Sequence, residues 1–67
     1  MGLKWTDTRE LAVALSEKYP EVNPRYVRFT DLMAWACGLE DFDDTEERCG
    51  ERILEAIQMA WIEESAD

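Results

Sequence analysis

The apolar residues in the last third of the chain recur with the period of an α-helix. They alternate at three- and four-residue spacing with charged positions, so they fall on one face of such a helix. The residues of this face are Ile53, Leu54, Ile57, Ala60 and Trp61. The pattern leaves two starting points for the helix, one near Thr45 and one after Gly50. A one-faced helix must bury its apolar stripe, so the sequence predicts other helices packed against it.

A second helical pattern precedes it near the start of the chain. Thr6 or Asp7 can cap this helix, because both side chains accept hydrogen bonds from free backbone N–H groups. Pro20 ends it, since proline cannot continue a helix. Its apolar stripe consists of Leu11, Ala14, Leu15 and Tyr19.

A third pattern lies between them. Asn23 and Pro24 indicate a single helical turn over residues 25–27, and an extended segment over residues 27–29 is the alternative. Thr30 is a suitable cap for the helix that follows, and Gly38 a suitable end. The predicted apolar stripe of this helix consists of Leu32, Trp35, Ala36 and Leu39.

These patterns predict an all-α, mainly helical fold in one small domain, residues 1–67. A chain of 67 residues buries only about 60% of the surface that its unfolded form exposes. The order helix, turn, helix is that of DNA-binding helix-turn-helix proteins. The net charge of −9 excludes that function. DNA is densely negative, and a protein with such an excess of acidic residues cannot neutralise its phosphates.

The negative charge is concentrated in one half of the chain. Residues 1–39 contain five acids and five bases, whereas residues 40–67 contain eleven acids and two bases. Such an asymmetry bears on partners and association rates rather than on fold. It favours a basic protein as the partner.

Six of the eight residues from Glu40 to Glu47 are acidic. An EF-hand is excluded, because a loop beginning at Asp41 has Glu46 where glycine is required and Arg52 where the bidentate glutamate is required. Three interpretations remain: solvated surface, a weak oxygen-ligand site for divalent ions, or a docking surface. If Phe42 packs inward, the loop presents four carboxylates outward as one patch. Those four side chains are Glu40, Asp41, Asp43 and Asp44.

Other features argue against an enzyme or a membrane protein. The chain has no histidine, which removes the commonest general base, and the acidic run suggests no pocket that would shift a carboxyl pKa. Cys37 and Cys49 match no zinc spacing. We expect two reduced, unrelated thiols, with a disulfide or a cysteine-bound cluster as the alternative. No apolar run reaches the roughly 18 residues of a membrane span. The start of the chain lacks a secretory signal, so we expect a cytoplasmic protein.

Several segments together resemble the IscX family, also called YfhJ, which consists of small accessory proteins of bacterial iron–sulfur cluster assembly. The two most specific are GLKWTD near the start and LEDFDD at 39–44. The matching segments are MGLKWTD, YP at 19–20, VRFTD at 27–31, W-x-C at 35–37, LEDFDD, and ILEAI with the later tryptophan at 53–61.

The resemblance implies a modified winged-helix or helix-turn-helix domain. It also implies an acidic surface that binds the cysteine desulfurase IscS, competes there with bacterial frataxin, and binds iron weakly and exchangeably. We expect a monomeric regulator, with a ferrous-iron carrier as the alternative. The residues that the LEDFDD match predicts for iron and partner contact are Glu40, Asp41, Asp43 and Asp44. Further predicted partner contacts are Asp31, from VRFTD, and Glu46 and Glu47, which extend the charge.

Overall fold

The structure, a computed structural model, describes residues 2–65. This part of the chain consists of three α-helices joined by two connections, each of which contains one turn of 3-10 helix. The all-α prediction is confirmed, and none of these helices is long and apolar enough to cross a bilayer. The helices are α1 (Thr8–Lys18), α2 (Phe29–Cys37) and α3 (Glu51–Ser65), and the 3-10 turns are Pro24–Tyr26 and Glu46–Arg48.

Helix α1 begins directly after Asp7, one of the two predicted capping positions. The Asp7 carboxylate does not bond to the start of the helix. Its Oδ2 instead accepts a hydrogen bond from the backbone N–H of Lys4, at 3.0 Å. Asp7 therefore closes the turn that leads into α1. The helix ends at Lys18, shortly before Pro20, as predicted.

The connection to α2 differs from the prediction in two details. The 3-10 turn begins at Pro24, where Asn23 Oδ1 accepts from the Arg25 N–H at 3.1 Å. The predicted cap at Thr30 is wrong, because the Leu32 N–H donates to the Arg28 carbonyl at 2.8 Å and so includes Phe29 in the first helical turn. Of the extended segment considered over residues 27–29, only Val27 and Arg28 are extended.

Helix α3 begins after Gly50 rather than near Thr45. The N–H groups of Ile53 and Leu54 both donate to the Gly50 carbonyl at 3.1 Å, which fixes the start of the helix. The side chain of Gln58 donates from Nε2 to the Pro24 carbonyl at 2.8 Å. This bond ties the centre of α3 to the 3-10 turn before α2.

The core lies where α1 packs on α3, and α2 closes one side. The buried core of the described part contains no charged or polar residue. Trp35 is half-buried and stacks on Tyr19 with ring centroids 4.6 Å apart. All three tryptophans therefore pack on or in the core, as expected. The buried residues are Trp5, Leu11, Ala12, Leu15, Leu32, Ala36, Leu39, Leu54, Ile57 and Trp61.

Candidate functional site

The acidic loop, residues 40–47, is held by backbone pairing with the start of the chain. The Leu3 N–H donates to the Asp41 carbonyl at 2.6 Å, and the Asp43 N–H donates to the Leu3 carbonyl at 2.8 Å. These two bonds form a parallel bridge between Leu3 and Phe42. The two most specific segments of the sequence thus lie side by side in the fold.

Two residues at the start of the chain, Gly2 and Lys4, contact Asp43 of the loop. A Cβ at Gly2 would lie 2.2 Å from the Asp43 Cβ, so only glycine permits the backbones to approach this closely. Lys4 Nζ donates to the Asp43 backbone carbonyl. The same ammonium lies 3.3 Å from Asp43 Oδ2 as an exposed ion pair. Sequence reasoning assigned no role to Gly2 or Lys4.

The aromatic contact beneath the loop confirms that Phe42 packs inward. Its ring meets the ring of Trp5 edge-on, with centroids 4.6 Å apart. Trp5 is only 1% exposed, and its Nε1 donates to the Thr45 carbonyl at 2.6 Å. The loop is therefore fixed to the core by one ring contact and one buried donor.

Asp44 does not face outward as predicted, and its side chain is only 8% exposed. One carboxylate oxygen accepts from the Trp5 N–H at 3.1 Å and the other from the Thr45 N–H at 2.8 Å. These hydrogen bonds lower the pKa of Asp44 below its ordinary value, and the bond from Trp5 has the largest effect. The charges of Arg48 and Lys4 lower it further. The prediction of four outward carboxylates is wrong here because Asp44 satisfies backbone donors.

The other predicted contact residues are exposed, but they do not all lie together. Glu40, Asp41 and Asp43 lie on the outer side of the loop, and the Asp43 side chain is 76% exposed. Glu46 and Glu47 follow in the exposed 3-10 turn of the loop. Asp31 is exposed as well, but it lies in the first turn of α2, at the opposite end of that helix from the loop.

The predicted iron ligands do not form a preorganised metal-binding site. Within residues 2–65, no three acidic or thiol side chains are grouped so that they could hold a metal ion. Asp43 is paired with Lys4, and both oxygens of Asp44 accept backbone hydrogen bonds. The donor set, oxygen atoms on an exposed loop, suits a weakly held and exchangeable ion rather than a resident one. Iron binding stays a prediction.

The two cysteines lie at the two ends of the connection that carries the acidic loop. Both thiols are free and half-buried, Cys37 at the end of α2 and Cys49 just before α3. Burial raises the pKa of the Cys37 thiol, and the charges of Glu46 and Asp44 raise it further. Burial also raises the pKa of Cys49, and so does the nearby sulfur of Cys37. Both thiols are therefore protonated at neutral pH, which disfavours nucleophilic chemistry.

Together, the fold and the loop define a small all-α protein that carries a braced, exposed acidic surface. A family model described as iron–sulphur cluster assembly matches residues 3–66. An uncharacterized protein of Pseudomonas aeruginosa is 58% identical over 64 residues, which cover 96% of this chain and 97% of that protein. The chain belongs to the iron–sulphur cluster assembly family, the IscX (YfhJ) family, which confirms the resemblance drawn from its motifs.

Proposed function

We propose that the protein is a non-enzymatic adaptor of iron–sulfur cluster assembly. Its acidic loop docks on a basic surface of a cysteine desulfurase of the IscS type, modulates that enzyme, and competes there with bacterial frataxin. In this proposal the protein acts in the cytoplasm and as a monomer. One observation carries the proposal: Glu40, Asp41 and Asp43 are exposed on a loop whose backbone is pinned to the core.

Pinning matters because a docking surface that is already ordered loses little conformational entropy on binding. The Leu3–Phe42 bridge and the Trp5–Thr45 bond hold the loop backbone in place. The outward carboxylates can then face a basic surface without further folding. Charges arranged in this way accelerate encounter and select against acidic partners.

Iron acts on the same carboxylates in this proposal. Fe²⁺ or Fe³⁺ binds weakly to one or two of the exposed carboxylates of Glu40, Asp41 and Asp43 at a time, with water completing its coordination. A bound cation cancels part of the negative charge or bridges the loop to acidic groups of the partner. Docking therefore changes with the concentration of iron. Asp44 contributes charge and loop structure, because its own oxygens are occupied by N–H groups.

Binding to the purified desulfurase by calorimetry, together with its sulfide release, tests the proposal. The variant combines Glu40→Gln, Asp41→Asn and Asp43→Asn, which keep side-chain size and remove three charges. A matched control neutralises Glu51, Glu55 and Glu63, which are exposed on α3 outside the loop. We expect the loop variant to lose binding and the control to retain most of it. Equal losses in both would contradict a specific role for the loop.

The alternative function, a ferrous-iron carrier for the cluster scaffold, uses the same exposed oxygens of Glu40 and Asp41. Anaerobic cluster assembly separates the two functions. A carrier stimulates cluster formation in proportion to the iron that it brings. An adaptor changes the rate of sulfide release even when it is free of iron.

A further inference from the structure

A shallow groove lies between α1 and the beginning of the acidic loop. Its apolar lining consists of Leu3, Ala14 and Leu39, around a concavity of about 350 Å³. A second concavity of about 310 Å³ shares Leu3 and Ala14 with the first and adds Val13. The two share lining residues, so they lie side by side along α1 and the loop and form one shallow, open groove with an apolar floor.

Val13 differs from the other apolar residues of this groove in its relation to the core. Its side chain is half-buried, but it is not among the described side chains that pack against the core. Valine is also a poorer helix former than alanine or the long polar residues. Val13 therefore presents an apolar surface in the groove that the core does not use.

The rim of the groove is strongly acidic. Four exposed carboxylates surround the apolar lining, two from α1 and two from the acidic loop. Within residues 2–65, none of the four takes part in an ion pair. None of the four is therefore held in a pair by a neighbouring cation. These residues are Glu10, Glu17, Glu40 and Asp41.

Two bases also line the groove, Lys18 in the first concavity and Arg9 in the second. The guanidinium of Arg9 lies 3.8 Å from the Glu64 carboxylate on α3. The ammonium of Lys18 lies 5.9 Å from the centre of the Tyr19 ring, in a cation–π contact. Four carboxylates stand against these two cations, so the lining keeps a net charge of −2 (4 acids − 2 bases) and is complementary to a positively charged occupant.

We propose that this groove receives an apolar side chain flanked by lysine or arginine on the surface of the basic partner. The inference rests on the proposed function and specifies how that partner is recognised. The apolar side chain packs against Val13, Ala14 and Leu3, while its basic neighbours face the carboxylates of the rim. Charge brings the partner to the surface, and the apolar contact selects the segment that fits.

The test uses Val13→Gln, which replaces the apolar contact by a polar side chain that favours helix. Its matched control is Met59→Gln, because Met59 is 62% exposed and lines neither concavity. Loss of a half-exposed valine contact weakens binding to the desulfurase roughly tenfold. We expect that loss for Val13→Gln and none for Met59→Gln, with unchanged helical circular dichroism in both.

Salt distinguishes this contact from the charge contacts. The ratio between the dissociation constants of Val13→Gln and wild type stays the same from about 0.1 M to about 1 M salt, because apolar contacts are not screened. If Val13→Gln binds the desulfurase with the affinity of wild type, the groove does not contact the partner, and the proposed adaptor function is unaffected. A wild-type protein that does not bind the desulfurase at all overturns both.

Discussion

The indole Nε1 of Trp5 donates a hydrogen bond to the backbone carbonyl of Thr45, forty positions away in the sequence, at 2.6 Å. The ring belongs to the core, whereas Thr45 belongs to the acidic loop. A buried indole N–H requires an acceptor, and this carbonyl supplies it. Folding of the core therefore fixes the backbone of the loop at Thr45.

The two neighbouring aspartates of the loop should differ in their effect on stability. Asp44→Ala removes the acceptors of the Trp5 and Thr45 N–H groups, so it lowers the urea midpoint clearly. Asp43→Ala removes an exposed ion pair with Lys4, which is worth less than about 1 kcal/mol. Tryptophan fluorescence in urea measures both. Equal midpoints for the two variants would show that Asp44 does not support the loop.

The contribution of the Asp44 carboxylate to stability should depend on pH. The pKa of Asp44 is lower in the folded protein than in the unfolded chain. Its stabilising contribution is therefore complete above the unfolded value of about 4 and is lost as pH falls through the folded pKa. Asp44→Asn keeps one acceptor but does not titrate. We expect its free energy of unfolding to fall less than that of wild type below about pH 4.

That difference is measured by urea unfolding at a series of pH values from neutral to strongly acidic. The two stability curves should converge as the pH falls. Curves that remain parallel throughout the acid range would mean that the hydrogen bonds of Asp44 do not depend on its charge.

The close approach of Gly2 to Asp43 predicts a steric effect without any change of charge. In Gly2→Ala the new Cβ meets the Asp43 side chain, so the Leu3–Phe42 bridge must open or shift. Amide exchange by NMR should show faster exchange at Leu3 and Asp43. Gly50→Ala is the control, because a Cβ there meets no atom within 4 Å. Unchanged exchange in Gly2→Ala would mean that the bridge tolerates the methyl group.

The helices could be predicted because their signals are local. The apolar face of α3 and the proline after α1 are visible in the sequence alone, and both are observed. The inward position of Phe42 followed from the cost of exposing an aromatic ring among acids. Such arguments need only neighbouring residues.

The orientation of each acid in the loop could not be predicted in the same way. Asp43 and Asp44 are chemically alike and adjacent, yet one faces water and the other bonds to Trp5 N–H. The difference depends on backbone donors brought from the start of the chain by folding. The groove beside Val13 likewise exists only where α1 and the loop meet.

The central claim is that the exposed carboxylates of the loop hold the partner by charge. Binding to the cysteine desulfurase, measured from about 0.1 M to about 1 M salt, tests it most directly, because the Debye length falls from about 10 Å to about 3 Å. We predict a steep loss of affinity for wild type and a much shallower one when Glu40, Asp41 and Asp43 are neutralised. The same slope for both proteins would contradict the claim.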